Sequence, residues 1–180
     1  MTGALADRRL TYSPVGLTTA DNWRDAASGF RISEQRTRLG AGPDRWSFAA
    51  EVILRWGVKT RSGFTVEAPS GEETDELVEV GDRRWLVAHL GPLKVREPIE
   101  VVTVIDEPDR KGFAYGTLTG HPLSGEEAFV LDRTPDESVW LTVRSITQPQ
   151  SSPWRWAYPG VLVAQRVYHR RYLRALAEHP

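Results

Sequence analysis

The chain has 180 residues and a mass of 20.2 kDa, the size of a single domain. Apolar residues make up 40% and charged residues 26%; the net charge of −1 and pI near 6.4 give no electrostatic pull toward nucleic acid or an anionic membrane. Seven Trp, 12 Pro and 15 Gly without repeats exclude collagen-like, coiled-coil and wholly disordered classes, and the absence of Cys excludes disulfides, thiol catalysis and Cys-ligated metal centres.

Residues 1–28 are polar, with short apolar patches at Leu10–Tyr12 and Val15–Leu17, and read as a partly ordered lead-in to one domain over 29–180. Arg8, Arg9 and Arg24 are interspersed with Asp7, Asp21 and Asp25, and no apolar run follows them, so no signal peptide is expected. No window approaches the roughly 20 apolar residues that span a bilayer. Together with the missing cysteines this places the expected location in the cytoplasm. Arg outnumbers Lys by 20 to 3, a skew read as genomic rather than chemical.

Residues 29–39 mix β-branched and polar residues in loose alternation, the pattern of an exposed strand. Gly40-Ala41-Gly42-Pro43 stops it, and Pro just before a periodic segment fits a helix start. From Asp44, Trp46, Ala49, Ala50, Ile53, Trp56 and Gly57 form one apolar helical stripe, so a largely buried helix is expected to end near Thr60–Gly63. Strands are expected at 64–68, 76–80, 84–90, 93–96 with 99–105, 112–118, 127–132 and 138–147. Turn residues separate them, among them Pro69-Ser70-Gly71, Gly91-Pro92 and Gly120-His121-Pro122. Strands in series without intervening helices imply an antiparallel meander. After a linker at 148–153, a closing helix is expected from Tyr158 to Ala177. Tyr168, Tyr172 and Leu176 would lie on its buried face, with Arg166, Arg170 and Arg174 exposed.

The run Gly112-Phe113-Ala114-Tyr115-Gly116, continued by Gly120-His121-Pro122-Leu123-Ser124-Gly125-Glu126-Glu127-Ala128-Phe129, resembles the signature of the domain of unknown function 1990 family. Leu10-Thr11-Tyr12, Gly29-Phe30, Arg38-Leu39-Gly40, Asp106-Glu107-Pro108 and Arg170-Arg171-Tyr172-Leu173 support the resemblance. Val58-Lys59-Thr60 and the acidic stretch from Glu72 to Asp82 read as ordinary variation. The resemblance implies an α+β helix-grip fold, similar to START domains and birch-pollen-allergen proteins. There a curved antiparallel sheet wraps a long C-terminal helix and encloses an apolar cavity. It brings no catalytic residues and no cofactor.

Candidate chemistry centres on the signature. Its glycines suit turns and bulges of a curved sheet. Strand alternation sets Tyr115 and Glu127 as cross-strand neighbours. Tyr115, His121 and Glu127 are the acid–base candidates, His121 pairing with Glu126 or Glu127. The four His residues lack metal-ligand spacing, so no metal is expected. Nucleophile-elbow, dinucleotide and phosphate-loop motifs are absent. The Arg cluster of the last helix and the seven carboxylates between Glu67 and Asp82 read as solvated faces able to pair with each other or with a neighbouring subunit. The leading expectation is a small hydrophobic or amphipathic ligand held between sheet and C-terminal helix, against Val101, Thr103, Tyr115, His121, Glu127, Val143 and Tyr168. The alternatives are an enzyme using the same space, or an interaction module reading the basic helix. Neither nucleic acid nor a membrane span is expected, and the oligomeric state stays open.

Overall fold

The computed structural model describes residues 4–90, 93–149 and 167–177. Seven strands form one antiparallel, curved sheet: β1 (Arg31–Ala41), β2 (Phe64–Glu67), β3 (Arg83–Leu90), β4 (Leu93–Asp106), β5 (Arg110–Thr117), β6 (Leu123–Arg133) and β7 (Ser138–Pro149), in the order β1-β7-β6-β5-β4-β3-β2. The meander from β2 to β7 is the one expected, and β1 closes the sheet beside β7. Among the described residues, three α-helical segments precede or punctuate it, α1 (Trp23–Ala26), α2 (Pro43–Ile53) and α3 (Gly57–Thr60), along with two 3-10 turns at Leu5–Asp7 and Leu17–Thr19. The last, α4, covers residues 167–175. Its buried Tyr168, Tyr172 and Leu176 and exposed Arg170 and Arg174 match the expected faces. The part of the expected closing helix over 158–166, with Arg166, lies outside the described residues.

The main core sits on the concave face. There α2, Trp56, Val58 and α4 cover Phe64, Leu86, Ile99, Val101, Phe113, Phe129, Leu141 and Val143. This helix-over-curved-sheet arrangement is the helix-grip fold. Within it, the helix expected to run to Thr60–Gly63 is broken: Trp56 takes a left-handed φ of 63° between α2 and α3. The completely buried indole stacks edge-on against Phe113 at 4.9 Å. The break turns the polypeptide across the sheet, and the α3 side chains drop into the core rather than continuing along its surface.

The strand expected at 76–80 is absent. Val78 alone turns inward, its N–H bonded to the Leu54 carbonyl at 2.9 Å, while Leu77 and Val80 stay exposed. In contrast, the two short strands expected at 93–96 and 99–105 are one. Pro98 is tolerated because its carbonyl accepts the Leu118 N–H just past Ile99–Thr117, where the β4–β5 ladder ends and no donor is needed. Among the described residues, the acidic stretch pairs with strand arginines, Arg84 with Glu76 and Asp82 and Arg96 with Glu67, and not with the last helix.

Residues 4–28 pack across the convex face. Tyr12, Leu17, Trp23 and Ala27 cluster on Ile146 of β7. Gly116 makes this contact possible: a Cβ there would overlap the Tyr12 hydroxyl and Leu10. Gly125, expected in the β5–β6 connection, lies instead inside β6. Its φ of 148° and its approach to the Ile146 carbonyl leave no room for a side chain. The connection itself is 118–122.

Candidate functional site

Antiparallel pairing sets Tyr115 of β5 directly opposite Glu127 of β6 on the concave face. The Tyr115 hydroxyl donates to Glu127 Oε2. Lys59 arrives from α3, and its ammonium donates to the same oxygen at 2.7 Å and to the Tyr172 hydroxyl of α4 at 2.6 Å. His169, one helical turn before Leu173, meets Glu127 Oε1 through Nε2 at 3.1 Å. The rings of Phe64, Tyr115, Phe129 and Tyr172 surround the Lys59 ammonium at 4.4 to 5.2 Å. Quadrupole attraction adds to the ion pair where water is scarce.

This environment fixes protonation states. Burial by itself would raise Glu127, but the charges of Lys59 and His169 and their hydrogen bonds outweigh it and hold the carboxyl well below the ordinary carboxylate range. Burial first and the Glu127 charge second push the Tyr115 and Tyr172 hydroxyls well above the usual phenol range. At neutral pH the cluster is therefore a carboxylate fed by an ammonium and a protonated phenol.

A second carboxylate shares the concave face. Glu97 of β4 alternates in step with Ile99 and Val101, which belong to the core. Burial raises its carboxyl to about 7, with Lys59 pulling down and Glu127 pushing up. Its neighbour is His121, whose Nε2 stands 3.7 Å from Glu97 Oε2. The Leu123 N–H donates to His121 Nδ1 at 2.9 Å, so the imidazole braces its own turn. Burial lowers His121 to about 3, leaving it neutral, against the opposing pull of the Leu123 carbonyl, 3.0 Å from Nδ1, which would accept from a protonated ring. His121 thus pairs with neither Glu126 nor Glu127, as the sequence had suggested; the turn at 118–122 aims it along β4.

Of the other expected ligand contacts, Val101, Val143 and Tyr168 line the concave core, Tyr168 against Phe64 at 4.5 Å. Thr103 does not. The register shift between Val101 and Thr103 turns it to the convex face opposite Ala114, where a Cβ on Gly16 would come within 3.8 Å of its hydroxyl. Glu126 also points outward. Its Oε2 accepts from the Tyr12 hydroxyl at 2.5 Å and the Gly16 N–H at 2.8 Å, and its Oε1 from the Thr18 N–H at 2.8 Å and the Thr18 hydroxyl.

Three groups at the site escaped the sequence reading: Lys59, Glu97 and His169. Lys59 had one available signal. It is one of only three lysines beside 20 arginines and follows Trp56 by three positions on the apolar stripe.

Relatives with this arrangement of sequence come from distant organisms. A UPF0548 protein of Deinococcus radiodurans is 36% identical over 154 residues, covering 81% of this chain and 76% of that protein. UPF0548 protein At2g17695 of Arabidopsis thaliana is 25% identical over 151 residues, covering 84% and 74%. Among solved structures, the hypothetical protein jhp0584 from Helicobacter pylori superposes with a TM-score of 0.58 at 11% identity, over 83% of this chain and 86% of that one, a likeness of fold. The sequence model of the family described as a domain of unknown function, DUF1990, matches residues 11–175, starting inside the segment that packs on the convex face and ending at the last turn of α4. The chain belongs to the DUF1990 family.

Proposed function

We propose that the protein binds a small amphipathic molecule between the concave face and α4, its polar end at the Lys59–Glu127 cluster and its apolar body against the aromatic walls. One observation carries this reading. Glu127 and Glu97 sit among core residues on the concave face, yet their side chains keep 12% and 21% of their surface accessible. Apolar and aromatic walls with a few convergent polar groups are the usual composition of a small-molecule site. The absence of cysteine supports a cytoplasmic setting for it; among the described residues, no helix is long and apolar enough to cross a membrane.

The test is binding of an apolar environment-sensitive dye and its displacement by fatty-acid-like or aromatic compounds. Val143→Trp, which places an indole on the concave side of β7, is expected to abolish dye binding while circular dichroism stays unchanged. Unaltered dye binding in that variant overturns the reading.

A second reading is an enzyme working on such a molecule in the same place, with Tyr115, His121 and Glu127 in acid–base roles. What favours it is the opposite bias of two carboxylates on one face, Glu127 held ionised and Glu97 raised to about 7. Such a split is the pattern of an acid and a base at work side by side. Turnover of a bound compound, seen as a mass change after incubation, separates it from simple binding.

A further inference from the structure

Glu97 and Glu127 project from the same face, and their partners differ in kind. Both Glu127 oxygens are occupied, one by Lys59 and Tyr115 and the other by His169. Glu97 has no such set. Among the described residues, no Lys or Arg nitrogen reaches it at ion-pair distance, and the one basic group within that distance is the His121 imidazole at 3.7 Å, beyond hydrogen-bond length. That imidazole is turned to its own loop through Leu123 and carries no charge to offer. Lys59 is felt at Glu97 only from a distance, and Glu127 already neutralises it.

Carboxylates set among apolar core residues are ordinarily matched by a cation or by several hydrogen bonds, and Glu97, part-buried with 21% of its side chain accessible, has neither among the described residues. We propose that the ligand supplies the missing partner: a small amphipathic amine whose cationic nitrogen pairs with Glu97. This rests on the ligand-binding reading above and names the chemistry of that ligand. The surroundings of Glu97 suit the assignment. Tyr115, Tyr168 and Tyr172 belong to the same concave core as Ile99 and Val101, the residues in step with Glu97, so aromatic faces line the interior that a bound ammonium would enter. Among the described residues, the ionisable groups facing the interior are Lys59 and Glu127, which pair with each other, His169 and Glu97. Tyr115, Tyr168 and Tyr172 stay protonated at neutral pH and His121 is neutral. His169 is taken up by Glu127. An ionised Glu97 therefore offers a carboxylate without a Lys or Arg partner among the described residues, which favours an amine over a second carboxylate.

Three octyl compounds of equal length test this: octylamine, 1-octanol and octanoate, each displacing neutral Nile red from the full-length protein. Alkylamines stay protonated across the range used. Octylamine is expected to bind about tenfold more tightly than octanol near pH 8 and octanoate most weakly, the difference expected of one charge-assisted contact. The amine preference is expected to shrink as the pH falls to about 5 and Glu97 takes up a proton. Glu97→Gln, nearly isosteric, is expected to bind octanol as before and to lose the amine preference. A second measurement needs no variant: in carbon-13 spectra of wild-type protein, saturating octylamine is expected to lower the Glu97 titration midpoint. Octanol binding without an amine preference, a preference that survives Glu97→Gln, or an unmoved midpoint overturns this inference alone. If none of the three compounds displaces the dye, the ligand-binding reading falls and this one with it.

Discussion

Glu126 and Glu127 are adjacent in β6, both are buried, and they face opposite sides of one sheet. The outer carboxylate collects only neutral donors: a phenol, a hydroxyl and two backbone N–H groups, all from the single stretch Tyr12–Thr18. The inner one collects a lysine, a histidine and a tyrosine from three separate elements. A clasp needs donors that are always present and never change charge. A site for chemistry or recognition needs groups whose protons and charges can respond. Burial alone thus says little about a carboxylate's role; the titratability of its partners separates fastening from function.

The comparison can be broken by removing one side at a time. The largest effect is expected at Lys59→Met, which leaves Glu127 buried without its cation; such broken pairs cost about 3–5 kcal/mol in urea unfolding. The double variant Lys59→Met/Glu127→Leu is expected to regain much of that loss, because no charge is left stranded. Tyr172→Ala removes a core ring as well as the second acceptor of Lys59, and is expected to cost roughly 2–4 kcal/mol. On the outer face, Glu126→Gln sets an amide N–H₂ against N–H and O–H donors. It is expected to cost about 1–3 kcal/mol while leaving dye binding intact. Equal loss of dye binding in Glu126→Gln would erase the distinction between the two faces.

The pH dependence sharpens it further. Glu127 is depressed below its ordinary 4.5, so the stability it contributes is full above 4.5 and lost as the pH falls through its folded value. Glu97 works with the opposite sign: it is raised from 4.5 to about 7, so the folded state holds the extra proton and stability declines as the pH rises across that interval. His121, lowered from 6.5 to about 3, destabilises on acidification because the unfolded chain binds the proton first. Thermal melts of Glu97→Gln are therefore expected to exceed wild type near pH 8 and to converge with it near pH 4. A higher melting temperature at both pH values would show that the gain is not electrostatic.

Much of this was legible beforehand, and the parts that were not have physical reasons. The meander, the Tyr115–Glu127 pairing and the tyrosine face of α4 follow from periodicities of two and 3.6, which are local properties. Lys59 was hidden because a left-handed Trp56 ends the helix early and redirects the next turn; no propensity favours that residue there. Glu97 was hidden by Pro98, which argues against a continuous strand unless the end of the neighbouring ladder is known. Thr103 was misplaced by a bulge, since one extra residue inverts every side chain beyond it. The segment before residue 29 read as a lead-in because its anchoring acceptor, Glu126, lies more than 100 positions away.

Having so few lysines gives the molecule its own clock. Lys94 is exposed and Lys111 is partly exposed beside Asp106, whereas Lys59 is sealed among four rings. An amine-selective reagent such as an anhydride or formaldehyde with a reductant marks the first two from outside. It reaches the third only when α3 or α4 swings away from the sheet. The rate at which Lys59 is labelled therefore times the breathing of the interior in unmodified protein. Comparing that rate with and without a candidate compound reports whether the interior has been closed, before anything is known of what closes it.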